Sequence, residues 1–335
     1  MDVVGLKLAR YWEQGEGGRV HCLLCPHGCR PAEGQVGLCR VRQNTHGTLR
    51  SLNYGRISAA HLDPIEKKPL FHFHPGALIL SLGTVGCNLA CSFCQNWSIS
   101  QAEAGTRPLS PEQAVGMAME EPDNLGLAYT YNEPMVWYEF VLETAQRARA
   151  AGLKNVLVTN GYVNEEPLRE LLPFIDALNV DVKSMQERFY KELCKGKPEP
   201  PRRTVEVAKE MGCAVEVTNL VIPGWNDSGK ELRALTAWLA GIDPGIPLHF
   251  SRYHPDYRLA EPPTPAQTLL HARELAREKL HYVYVGNLWQ AEGENTLCPG
   301  CGKTVVARQG YQVERVSVTG GRCDFCGEGI PIVGT

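Results

Sequence analysis

Between residues 75 and 290 the chain alternates between two patterns. Apolar runs of strand length are separated by stretches whose apolar residues recur every three or four positions. The runs Leu78–Thr84, Leu125–Thr130, Asn155–Thr159, Ala177–Val182, Ala214–Val221, Pro247–Ser251 and Tyr282–Val285 predict strands. Ser110-Pro-Glu-Gln113 is a capping box with proline at the first helical position. Thr264-Pro-Ala-Gln267 repeats that signal ahead of Leu269, Ala272, Ala276 and Leu280, which fall on one helical face. Asp227 is the expected cap of a helix carrying Leu232, Leu235 and Leu239 and ending at Gly241; another helix, over 135–151, ends at Gly152. The alternation predicts an α/β fold of about six β/α units around a parallel sheet, a partial or full (β/α) TIM-type barrel. In such folds ligands gather at the C-terminal ends of the strands.

Both ends of the chain break this pattern. Residues 1–50 and 291–335 are rich in glycine and cysteine and lack sustained periodicity. We therefore expect an N-terminal metal-binding module over 1–50, a barrel over 51–290 and a small appended module over 291–335. A chain of 335 residues with 43% hydrophobic residues can bury a full core. Its 34 basic and 37 acidic residues leave a net charge of −3, which gives no general drive toward nucleic acid or anionic membrane. The first residues hold no apolar signal core, and no run approaches the roughly 18 apolar residues of a membrane span. A cytoplasmic protein is expected.

The thirteen cysteines fall into groups: 22, 25, 29 and 39; 87, 91 and 94; 298, 301, 323 and 326. Cys194 and Cys213 stand apart and read as free thiols. Close spacing without a secretory signal favours metal over disulfides. Cys298-Pro-Gly-Cys301-Gly and Cys323-Asp-Phe-Cys326-Gly are two knuckles, an arrangement suited to a four-thiolate zinc ribbon, with rubredoxin-like iron as the rival. Cys22, Cys25, Cys29 and Cys39 are less regular; zinc is the first expectation and a second Fe–S cluster the next.

The central group, Gly86-Cys87-Asn-Leu-Ala-Cys91-Ser-Phe-Cys94, supplies three thiolates and no nearby fourth ligand. Three thiolates leave one iron of a [4Fe–4S] cluster open. This loop resembles the radical S-adenosylmethionine (SAM) signature, C-x3-C-x-aromatic-C. The resemblance implies that the open iron is chelated by the amino and carboxylate groups of SAM. It further implies reductive cleavage of SAM to a 5′-deoxyadenosyl radical, fed by a one-electron reductant such as flavodoxin or ferredoxin.

The predicted strand ends extend the resemblance. Asn132-Glu133-Pro134 follows the second strand, Thr159-Asn160-Gly161 the third and Asp181-Val182-Lys183 the fourth, while His249 lies on the sixth. Asn132 and Glu133 can accept from an ammonium, Thr159 and Asn160 can reach ribose hydroxyls, and Lys183 can meet a carboxylate beside Asp181. These positions are similar to those of pyruvate formate-lyase activating enzyme and its relatives. Such activases commonly carry an aspartate before Thr-Asn-Gly, linked to a cation; here Val158 stands there. The strings Asp63–Gly76, Cys94-Gln-Asn96, Tyr129–Pro134 and His249–Tyr253 resemble the radical SAM member of the AmmeMemoRadiSam system, which implies Memo-like and AMMECR1-like partners. The polar run of Asp63, Glu66, Lys67, Lys68, His72 and His74 could shape the site, dock a partner or form a solvated loop. The competing functional class is a non-catalytic metal-binding module for nucleic acid or protein partners, against which the negative net charge argues.

Overall fold

The computed structural model describes residues 6–288 and 293–335. Eight strands form one sheet: β1 Ala59–Pro64, β2 Leu78–Gly83, β3 Asn124–Tyr129, β4 Lys154–Thr159, β5 Ala177–Asp181, β6 Ala214–Val221, β7 Leu248–Arg252 and β8 Val283–Gly286. They lie side by side in chain order, with β1 antiparallel to β2 and every later pair parallel. Among the described residues β1 and β8 do not pair, so the barrel is partial. Helices α1 Pro111–Glu120, α2 Tyr138–Ala150, α3 Glu165–Leu171, α4 Glu199–Glu210, α5 Gly229–Ile242 and α6 Ala266–Arg277 link consecutive parallel strands.

Period-two alternation sorts the strand residues. Val215, Val217, Leu248 and Phe250 share a core with Leu232, Leu235 and Leu269 of the helices. The other face of these strands and of β5 presents Asn179, Glu216, Thr218 and His249, all buried. A buried polar face inside an apolar shell is the arrangement of a ligand-binding interior.

Local signals decide most boundaries. Ser110 and Gln113 form the expected capping box of α1. Gly152, just past α2, adopts φ of 80°, the left-handed conformation that glycine reaches without a Cβ clash. Three expectations require correction. Ser228, not Asp227, caps α5 by accepting from the Glu231 amide, and Asp227 accepts from Gly224 instead. The same helix runs past Gly241 to Ile242. Thr264 caps nothing: its hydroxyl donates to the Val221 carbonyl at 2.6 Å and accepts from the Tyr253 amide, tying β7 to the end of β6.

The run 61–76 is not a solvated loop. Its first part is β1, and Asp63, Glu66, Lys68 and His72 are all buried. Alternation was hidden there because the inward positions are charged.

Two small units flank the sheet. Near the N-terminus, Trp12–Gln14 pairs with Val20–Cys22, and Thr48–Ser51 pairs with Lys7–Leu8 and Arg42–Thr45. Ala9, Val20, Leu24 and Leu49 join the main core, and buried Arg42 pairs with Glu139 of α2 at 3.0 Å. Near the C-terminus, β9 Thr296–Leu297, β10 Thr304–Gln309 and β11 Gln312–Val316 form an antiparallel sheet. Val305, Val306, Ile330 and Ile332 pack on Phe71, Tyr282 and Tyr284. Arg308 reaches out of this unit to the Phe71 carbonyl and to Glu66.

Candidate active site

The cysteine loop begins where β2 ends. Asn132 fixes the start of the loop: its side chain accepts from the Thr84 amide at 3.0 Å and donates to the Gly86 carbonyl at 2.7 Å. Both ends of that amide are engaged, so Asn132 positions the loop. The loop then docks on the segment Tyr190–Cys194, with Ala90 N–H donating to the Cys194 carbonyl and Ser92 N–H to the Leu193 carbonyl. Arg258 and Leu259 close the other side by donating to the Ser92 carbonyl. Phe93 is buried against Phe189. Cys87, Cys91 and Cys94 are thus carried on a loop braced from three directions. Among the described residues their sulfurs do not all lie within 4.8 Å of one another. At least one pair is therefore wider than the spacing around a single tetrahedral ion, which suits the multi-iron centre that three thiolates can hold.

The predicted strand tips converge on this loop. Asn160 Nδ2 lies 3.5 Å from Cys87 Sγ. Glu133 is buried and accepts from the Thr159 hydroxyl at 2.7 Å, the Asn160 amide at 2.8 Å and the Met135 amide at 2.9 Å. Burial raises its carboxyl to about 7 despite those three donors. Lys183 pairs with Asp181 at 3.1 Å. Burial works against its ammonium, but Asp181 and Cys91 outweigh that and hold its pKa well above the usual lysine value. Lys183 is therefore a fixed positive charge beside the cysteine loop, and Asp181 is its partly exposed counter-ion.

His249 is not brought to the loop. It sits near the start of β7, with Nε2 2.6 Å from Glu216 Oε2 and its ring stacked on Tyr284. It belongs to a buried network with His72, whose Nε2 is 2.7 Å from the Tyr284 hydroxyl. Sequence reasoning missed Asn88 and Cys194. Asn88 Oδ1 accepts from Asn160 at 3.0 Å, and Cys194 stands in hydrogen-bonding reach of Cys91. Asn88 could have been suspected from its place inside the signature; nothing in the sequence marked Cys194.

At the C-terminal knuckles the sulfurs gather closely. Cys298 and Cys326 are 3.6 Å apart, Cys301 and Cys323 3.9 Å, and all four lie within 4.8 Å of one another. A tetrahedral zinc with ~2.3 Å Zn–S bonds needs sulfurs about 3.8 Å apart. This quartet fits one metal ion.

Residues 81–235 match the radical SAM superfamily. The uncharacterized protein MJ0808 of Methanocaldococcus jannaschii is 43% identical over 98% of this chain and 100% of its own length. The chain carries a radical SAM domain. The isethionate sulfite-lyase activating enzyme of Nitratidesulfovibrio vulgaris is 25% identical over 38% of this chain and 42% of its own length. Streptococcus suis SuiB bound to S-adenosylmethionine is 13% identical, superposes with a TM-score of 0.52, and is matched over 70% of this chain and 56% of SuiB. That last likeness is one of fold, and it agrees with the partial parallel barrel. A radical SAM domain implies an iron–sulfur cluster and SAM, and the residues around the Cys87 loop fit both. Among the described residues no helix is long and apolar enough to cross a membrane.

Proposed function

We propose that this protein cleaves SAM reductively at a [4Fe–4S] cluster held by Cys87, Cys91 and Cys94, and abstracts hydrogen from a substrate. The observation that carries the reading is the convergence of Glu133, Asn160 and Lys183 on the three-cysteine loop. When bound, the cluster supplies one electron to the sulfonium of SAM, giving methionine and a 5′-deoxyadenosyl radical. The chain's own residues do the rest. Lys183 offers a positive charge to the carboxylate of SAM. Glu133 offers negative charge toward its amino group and fixes Thr159 and Asn160 at the next strand tip. The polar inner face of the sheet lies below, where a substrate would meet the radical.

The relatives that are activating enzymes support a protein substrate that acquires a glycyl radical, although each spans well under half of this chain. The AmmeMemoRadiSam likeness would add Memo-like and AMMECR1-like partners in the cytoplasm. Zinc is our assignment for Cys298, Cys301, Cys323 and Cys326, on the sulfur spacing.

Anaerobic reconstitution followed by dithionite and SAM should yield 5′-deoxyadenosine in the wild type and none in Cys91→Ala. Equal turnover by the variant would refute the site. A glycyl-radical EPR signal on an added partner would establish the activase branch, and its absence with every candidate partner would remove it.

A further inference from the structure

The N-terminal quartet differs from the C-terminal one in the property that selects a metal. Cys22, Cys25, Cys29 and Cys39 all line one cavity, together with His27, Arg42 and Asn88. Among the described residues, no three of these four sulfurs lie within 4.8 Å of one another, whereas all four C-terminal sulfurs do. A single tetrahedral ion draws its thiolates to about 3.8 Å. An iron–sulfur cluster spreads them wider, because irons and bridging sulfides lie between them. The two quartets in one chain therefore serve as internal standards for each other.

The cavity is also furnished for an electron-rich occupant. Leu38 N–H donates to Cys29 Sγ at 3.5 Å. Arg42 is 2% exposed and lines the cavity, and its buried Nε has no hydrogen-bond partner among the described residues. A buried guanidinium donor left unpaired costs about 1–3 kcal/mol or more. Its charge is met by Glu139, and bridging sulfides and thiolates would satisfy the remaining Nε donor.

Its position adds a reason for redox activity. His27 Nε2 is 2.7 Å from the carbonyl oxygen of Asn88, the residue after Cys87. Asn88 itself lines the N-terminal cavity, while its side chain holds Asn160 beside the Cys87 sulfur. At Gly86 a Cβ would come within 2.6 Å of the Cys39 carbonyl, so only glycine lets the two metal-bearing loops touch. Zinc has no redox chemistry to offer a neighbour; iron–sulfur does.

We propose that Cys22, Cys25, Cys29 and Cys39 hold an iron–sulfur cluster rather than zinc, a second redox centre set directly against the loop of Cys87. The redox role rests on the function proposed above; the identity of the metal does not.

The test removes the central ligands. A Cys87→Ala, Cys91→Ala, Cys94→Ala protein is purified and reconstituted anaerobically, and its iron, acid-labile sulfide and zinc are counted. The proposal predicts retained iron and sulfide, one zinc per chain for the C-terminal site, and an EPR signal after dithionite that SAM does not change. Two zinc per chain with no iron would overturn it. Because this protein cannot bind the central cluster, the result is independent of SAM cleavage. Should the triple variant fail to fold, Cys25→Ala with Cys29→Ala in an otherwise wild-type chain provides the converse. It should lose part of the iron while keeping the SAM-responsive signal. Unchanged iron with one zinc lost would equally overturn the proposal.

Discussion

Asn160 Nδ2 stands 3.5 Å from the Cys87 sulfur and is held there by Asn88, whose Oδ1 accepts from the same nitrogen at 3.0 Å. An amide donor at a ligating sulfur stabilises the more negative, reduced cluster. Asn160→Ala should therefore shift the midpoint potential of the central cluster to a more negative value. Outer partners of metal ligands typically contribute 10–100-fold to affinity or activity, so 5′-deoxyadenosine formation should fall by about 10-fold. Redox titration followed by EPR checks the shift, and an unchanged potential would reduce Asn160 to a packing residue.

Glu133 accepts three hydrogen bonds that converge from two strand ends. Glu133→Gln places an amide donor opposite one of those donors. Hydrogen bonds to charged groups are worth about 1.5–3 kcal/mol each, so unfolding in urea should show a loss of about 2 kcal/mol. If Glu133 meets the amino group of SAM as proposed, KM for SAM should also rise. A variant with wild-type stability and KM would contradict both roles.

Arg308 and Glu66 form a fully buried pair at 3.5 Å that fastens the C-terminal sheet to the segment after β1. Arg308 meets Glu66 Oε1, and among the described residues Oε2 has no hydrogen-bond partner. Removing one member of such a pair costs about 3–5 kcal/mol because the other charge is left unpaired. Arg308→Met should be that destabilising, and adding Glu66→Gln should restore much of the loss. A double-mutant cycle showing simple additivity would contradict the coupling.

His72 is held neutral. Burial lowers its pKa to about 4, with Arg308 and His249 acting in the same direction and Glu216 opposing them. Between the unfolded value of about 6.5 and the folded value, the unfolded chain binds the extra proton. Stability is therefore fully present above pH ~6.5 and is lost as pH falls toward 4. The shift corresponds to at most about 3 kcal/mol. His72→Gln should flatten this part of the stability profile. Equal acid sensitivity in both proteins would place the titration elsewhere, with Glu216 the next group to examine.

The strands and the cysteine loop were legible because each carries a local signal. β6 begins and ends where its apolar run does, and the loop is fixed by three cysteines and an aromatic residue. β1 was not legible, since the polar run from Asp63 fitted a site wall, a docking segment or a solvated loop equally well until the fold sets Lys67, Lys68 and Tyr131 on Asp63. His249 failed for a related reason. Its strand was predicted, but its height on that strand, in register with Thr218 and Tyr284 and with its ring reaching Glu216, depends on the register of three strands at once. The N-terminal cysteines show the same limit: spacing identifies ligands, whereas only their separation in space distinguishes one ion from a cluster.

The central claim is that the loop of Cys87, Cys91 and Cys94 leaves one iron for SAM. The most direct test is hyperfine spectroscopy of the reduced protein with SAM labelled at its amino nitrogen. The account predicts a coupling between that nitrogen and the cluster, absent in Cys91→Ala. A reduced central cluster that binds SAM yet shows no such coupling, or one ligated by four protein side chains, would contradict it.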